Sequence, residues 1–227
     1  MTDTTQLDEI RARLLRAALP DIAFDGWQPE ILGRAVEQAG VDPNAGLLAF
    51  PKGMDDMLAY FFHEGDRSMQ MHLAAAPMPE RIREKIAAAV KSRLLVDQDH
   101  REALRRAMAA LALPGRASLA IKLTYQTTDL IWRWAGDQST DYNFYSKRAL
   151  LASIIGSTRL VFISDDSDDF ARSWDFLDRR IENVMQFEKL KASQTGRLAQ
   201  ASAFLQDVIG TVARRRYASD QHVASSD

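Results

Sequence analysis

Apolar residues recur along this chain at helical spacing, and no convincing alternation of the strand type interrupts them. Ile10, Leu14, Leu15, Ala18 and Leu19 form one stripe and predict a helix over Leu7–Leu19, with Pro20 at its end. A second helix is predicted over Pro29–Ala39, with Pro29 in its first turn and Gly40 as its stop. A short helix over Pro43–Ala49, a turn at Phe50-Pro51-Lys52-Gly53 and a long helix from Met54 towards Ala76 follow. After the break at Pro77-Met78-Pro79, Ile82, Ile86, Val90 and Leu94 predict a helix over Pro79–Val96, with Arg81, Arg83, Lys85, Lys91 and Arg93 on its other faces. Arg101–Leu113 reads as another, ended by Pro114-Gly115, with Arg101, Arg105 and Arg106 on a solvated face.

Ser118–Ala135 carries two apolar stripes: Ile121, Tyr125, Thr128 and Trp132 on one, Leu123, Thr127, Leu130, Ile131 and Trp134 on the other. Such a helix is either buried between neighbours, or buries one face and gives the other to a ligand or partner. Helices over Asp141–Ile163 and Asp166–Glu188 complete an all-α pattern, and the acidic run Asp165–Asp169 suits a helix start. Lys189–Arg197 reads as a linker. Beyond it, Leu198, Leu205, Val208, Ile209 and Val212 share one helical face, and Arg214-Arg215-Arg216 closes the segment. Ser193–Arg216 would form a rod about 36 Å long, either a bundle helix or one lying in a membrane interface. Partial burial of its apolar side chains would stabilise reversible attachment by roughly 5 kcal/mol before ordering costs. The expected organisation is 1–52, 53–188, 189–216 and a disordered tail over 217–227.

Composition changes this picture little. The chain has 227 residues, 46% hydrophobic and 26% charged, enough for a sizeable core. Cysteine is absent, which removes disulfides, thiolate zinc sites and cysteine nucleophiles and suits a reducing compartment. The start, Met1-Thr-Asp-Thr-Thr-Gln-Leu-Asp-Glu, is unlike a signal or transit peptide. No uninterrupted apolar run reaches the ~18 residues of a spanning helix, so the expected compartment is the cytoplasm.

The helix order over Leu14–Phe62 resembles the DNA-binding end of the TetR repressor family, most specifically at Ala39–Pro43 and Phe50-Pro51-Lys52-Gly53. That resemblance implies a helix-turn-helix. Charge argues against its reading DNA. Between Asp21 and Tyr60 seven acids face only Arg34 and Lys52, a local net charge of -5, and Asn44–Leu48 offers no cation. Duplex binding rests mostly on neutralising phosphates. A scaffold that no longer reads DNA is expected, with a ligand-responsive transcription regulator as the alternative.

The chemistry of a catalyst is missing. His63, His72, His100 and His222 form no spaced metal pair, and no phosphate loop or nucleophile elbow occurs. Asp97-x-x-His100 alone is too little for a di-iron bundle, and His63-Glu64 beside Asp66 reads as surface polarity. No cofactor is expected. The unusual stretch is Gly136–Arg148, which mixes acids, small polar residues, aromatics and cations in thirteen positions. Gly136 can end one helix and Ser139, Thr140 or Asp141 can cap the next. Tyr142, Phe144 and Tyr145 cannot share one face, so an aromatic is expected at the surface beside Lys147 and Arg148. Arg148 can meet a phosphate or carboxylate through two bonds, and local capping with internal ion pairs accounts equally well for the composition.

Trp132-x-x-Ala135 through Arg148 resembles the signature of the Coq-nine family of ubiquinone-biosynthesis proteins. Ala23–Trp27, Phe50–Gly53, Arg101–Ala107 and Trp174–Ile181 match in family order. The resemblance implies a TetR-like helical fold and a non-catalytic, lipid-binding accessory role, in which an isoprenoid quinone intermediate is presented to the demethoxyubiquinone hydroxylase. It implies a phospholipid contact at Arg148 and a hydroxylase contact at Asp137, Asn143, Phe144 and Tyr145. It also implies membrane attachment through Leu198, Leu205, Val208, Ile209 and Val212, a peripheral place on the inner membrane, and a homodimer. Tyr125 and Trp132 are expected along an isoprenoid tunnel. Phe144 stands where the family usually has Trp, which keeps the ring and removes the indole N–H.

Overall fold

The computed structural model describes residues 2–137 and 142–186, with side chains from Thr5 to Asp137 and from Phe144 to Gln186. All the regular elements among them are helical: α1 (Thr2–Asp25), α2 (Pro29–Gln38), α3 (Pro43–Ala49), α4 (Met54–Ala75), α5 (Ile82–Leu95), α6 (Arg101–Leu111), α7 (Ala117–Trp134), α8 (Tyr142–Phe162) and α9 (171–186). Apart from the last residues of α9 they belong to the first of two units, Met1–Ile181 and Glu182–Asp227. The segment Leu198–Val212 and the cap candidates Ser139, Thr140 and Asp141 lie outside the described residues.

Local chemistry sets most boundaries where the sequence predicts them. Asp42 caps α3, its Oδ1 accepting from the backbone N–H of Asn44 at 3.0 Å and of Ala45 at 3.1 Å. Gly53 takes a φ of 60° in the turn before α4, a region that disfavours a side chain. Four expectations are corrected. Pro20 does not end α1, which continues to Asp25. Pro20 and Arg16, whose carbonyl loses its helical partner, are both exposed, so water can serve that carbonyl, while fully buried Ile22 anchors the next turn. Residues 79–81 stay outside α5, whose first apolar residue, Ile82, is exposed and anchors nothing. α6 stops at Leu111 because Pro114 holds Leu113 extended. α9 starts at 171, after a 3-10 turn over Asp168–Phe170.

α1 packs on α2 and α3, completing the helix-turn-helix, and also on α4 and α6. Trp27 joins the two parts: its ring lies 5.5 Å from Phe61, and its Nε1 donates to the Ala103 carbonyl at 3.1 Å. α4, α5, α7 and α8 form the second half of the core, which encloses a cluster of buried charges. Arg93 is fully buried, donating to Asp66 at 2.8 Å and Asp97 at 2.6 Å. Thr127 of α7 donates to Asp66 at 2.9 Å. Burial pushes the Asp66 carboxyl up from its ordinary value, against the opposing pull of Arg93 and Thr127. Asp66, expected in a surface polar cluster, is instead part of the core, because Arg93 of α5 and Thr127 of α7 meet it there.

At the other end of α8, the Asp165 side chain accepts from the N–H and hydroxyl of both Ser167 and Ser173. Burial alone would raise this carboxyl, but those hydrogen bonds hold it well below the usual range. The acidic run thus starts α9, as its composition suggested.

Candidate functional site

The two stripes of α7 go to different places. Leu123, Thr127 and Ile131 are buried in the core. Ile121 and Tyr125 remain 71% and 43% exposed, which leaves this face open to something beyond the core. It borders a groove of about 380 Å³ against α8. Ala120, Ile121, Thr124, Tyr125 and Thr128 form the α7 wall, at the one-turn spacing of a single helical face. Tyr145, Arg148, Ala149 and Ala152 form the α8 wall, where the two alanines leave room. The groove is open and mainly apolar, and Arg148 brings a charged side chain to its lining.

Gly136, at a φ of 91°, ends α7 as its sequence suggests. The Asp137 N–H donates to Trp132 at 2.9 Å and the Gly136 N–H to Arg133 at 3.1 Å, which turns the chain back towards α8. Arg148 is buried and bridges this corner. Its Nε donates to Asp129 at 2.8 Å, and its Nη1 donates to Asp137 at 3.3 Å and to the Phe144 carbonyl at 3.0 Å. The Phe144 ring lies 3.3 Å from the guanidinium carbon, a stacked cation–π contact. Lys147 donates to the other Asp137 oxygen at 2.6 Å. Trp132 Nε1 donates to the Lys147 carbonyl at 3.1 Å, tying α7 to α8.

The structure therefore brings Arg148 and Tyr125 together in one groove, while Trp132 braces the corner outside its wall. Asp137 is buried among the corner's ion pairs, Phe144 is half-buried and Tyr145 is 67% exposed, the surface aromatic that the helical geometry required. The Asn143 side chain lies outside the described residues. Sequence reasoning missed Asp129, one turn beyond Tyr125 on the same face, where an acid between apolar residues was the available signal. Among the described residues no group of three metal-ligating side chains assembles, and no helix is long and apolar enough to cross a membrane.

Comparison with known proteins extends these observations. The TetR transcriptional regulator from Nitrosomonas europaea superposes with a TM-score of 0.64 at 17% identity, over 77% of this chain and 97% of that one. The fold is thus TetR-like and all-α. Residues 117–188, which contain both walls of the groove, match the family model described as COQ9. The ubiquinone biosynthesis protein COQ9, mitochondrial, of Rattus norvegicus is 31% identical over 188 residues, 78% of this chain and 59% of that protein. Its Homo sapiens counterpart is 29% identical over 189 residues, 78% of this chain and 58% of that protein. Over most of its length the chain is thus similar to COQ9 proteins, and residues 117–188 carry that family's pattern. Its match spans less than two thirds of the length of those relatives.

Proposed function

We propose that this chain is a non-catalytic accessory protein of ubiquinone biosynthesis that takes an isoprenoid quinone intermediate from a membrane into the α7–α8 groove and presents it to the demethoxyubiquinone hydroxylase. The observation that carries this reading is the open apolar groove within the COQ9-matching residues, with Tyr125 on one wall and Arg148 on the other. Branched five-carbon units need apolar walls with small residues opposite, which Ala149 and Ala152 supply. Arg148 is engaged by Asp129 and Asp137, so it shapes the polar end of the groove, and a phospholipid phosphate would exchange with one of those carboxylates. The face carrying Tyr145, beside the Phe144–Arg148 stack, is the proposed hydroxylase contact. In this reading Leu198, Leu205, Val208, Ile209 and Val212 attach the chain peripherally to the inner membrane, and the protein is a homodimer.

DNA recognition is disfavoured by the helix-turn-helix itself. Arg34 is held by Asp21 at 3.1 Å and Asp25 at 2.6 Å, and α3 presents exposed Leu47 and Leu48 where a DNA reader would present cations and amides. The test is native mass spectrometry of the full chain purified from ubiquinone-producing cells. A co-purifying isoprenoid lipid is expected. A chain that carries no lipid, and takes up none from quinone-loaded vesicles, would overturn the reading.

A further inference from the structure

A second space lies deeper between α7 and α8. Phe62, Leu123, Thr127, Ile155 and Arg159 enclose a cavity of about 30 Å³ in the core, and Thr124 lines both it and the groove. Arg159 is 9% exposed, and its Nε has no hydrogen-bond partner. Its guanidinium lies 5.3 Å from the Phe62 ring, and burial lowers its pKa to about 10. A buried donor without an acceptor costs about 1–3 kcal/mol, so a group that supplies one is favoured. The charges nearby already balance: Arg93 and Arg159 against Asp66 and Asp97. An anion would upset that balance, and a neutral carbonyl oxygen would not.

We propose that Arg159 is the head-group recognition residue of the ligand site, its Nε–H donating to a neutral carbonyl oxygen of a ligand whose ring and apolar tail occupy the α7–α8 groove. This rests on the lipid-binding reading above. The size of the cavity fits the assignment. It holds one oxygen-sized group and no ring. A carbonyl would enter at Thr124, the residue common to the two spaces, with the ring on the groove side, and Arg159 would then distinguish an oxygenated head from bare hydrocarbon.

The full chain, wild type and Arg159→Met, is titrated with a short-tailed isoprenoid quinone and with the matching isoprenoid hydrocarbon, following tryptophan fluorescence. Wild type should prefer the quinone, and Arg159→Met should lose about tenfold in quinone affinity, one hydrogen bond's worth, with hydrocarbon affinity unchanged. Arg159→Lys keeps the charge but places no N–H at the Nε position, and it should show the same loss if Arg159→Met does not fold. Equal quinone affinity in wild type and both folded variants would overturn the head-group role, leave the lipid-binding reading standing and assign the cavity to a buried water. Binding of neither ligand by wild type would overturn both.

Discussion

One added methyl group tests how tightly the buried charge cluster is built. Gly65 lies in α4, and a Cβ placed there would sit 2.5 Å from the Cζ, Nη1 and Nη2 atoms of Arg93. Ordinary contact needs about 3.5 Å, so the guanidinium would have to move by about 1 Å. Arg93 is fully buried and bonded at 2.8 Å to Asp66 and at 2.6 Å to Asp97, so such a shift breaks at least one pairing. Breaking a buried ion pair costs about 3–5 kcal/mol. The helical preference of Ala over Gly returns about 1 kcal/mol, leaving Gly65→Ala destabilised by about 2–4 kcal/mol. For a chain of this size that lowers Tm by roughly 5–15 °C. Gly33→Ala is the internal control. Gly33 is exposed in α2, with nothing within 4 Å of the new Cβ, so it should gain about 0.5–1 kcal/mol. Urea and thermal unfolding followed by circular dichroism would measure both. Two glycines that respond with the same sign would refute the packing argument.

Other outcomes follow from the same geometry. Asp165→Asn should cost about 1–2 kcal/mol near neutral pH, because the α9 cap loses its charged acceptor. The folded carboxyl is depressed, so its contribution is fully present above the unfolded value of about 3.9 and is lost as pH falls through the folded value. Unfolding curves of the two proteins should therefore converge on acidification, and a gap that persists in acid would count against the cap. Tyr125→Glu puts a charge into the groove and should strip bound lipid from a protein whose circular dichroism is unchanged; undiminished lipid by native mass spectrometry would move the site elsewhere. Tyr145→Ala removes the exposed aromatic and should weaken hydroxylase binding by about 30-fold in calorimetry, and equal affinity would exclude this face.

Where local chemistry decides, the sequence is legible. Asp42, Gly53 and Gly136 mark their turns through capping and positive φ, which need no distant partner. The double stripe of α7 allowed either burial on both sides or one open face, and the groove lies along the second stripe. Where a distant partner decides, the pattern misleads. Pro20 is carried through because Ile22 is buried beyond it, a fact set by packing. Arg93 sits off the apolar stripe of α5, and only its distance to Asp66 on α4 reveals it as core. Arg148 reads equally as an anion contact or as part of an internal ion pair until folding brings Asp129 against it across the α7–α8 corner. Trp132 shares a stripe with Tyr125, yet its indole N–H is spent on Lys147.

The most direct test of the central claim is photo-crosslinking of the full chain, in quinone-containing vesicles, with an isoprenoid probe that carries a diazirine in its tail. Peptide mapping should place the label on Ala120–Thr128 of α7 and Tyr145–Ala152 of α8, competed away by unlabelled isoprenoid quinone. Competed labelling confined to other helices, or labelling that the quinone does not displace, would contradict a groove that carries the ligand.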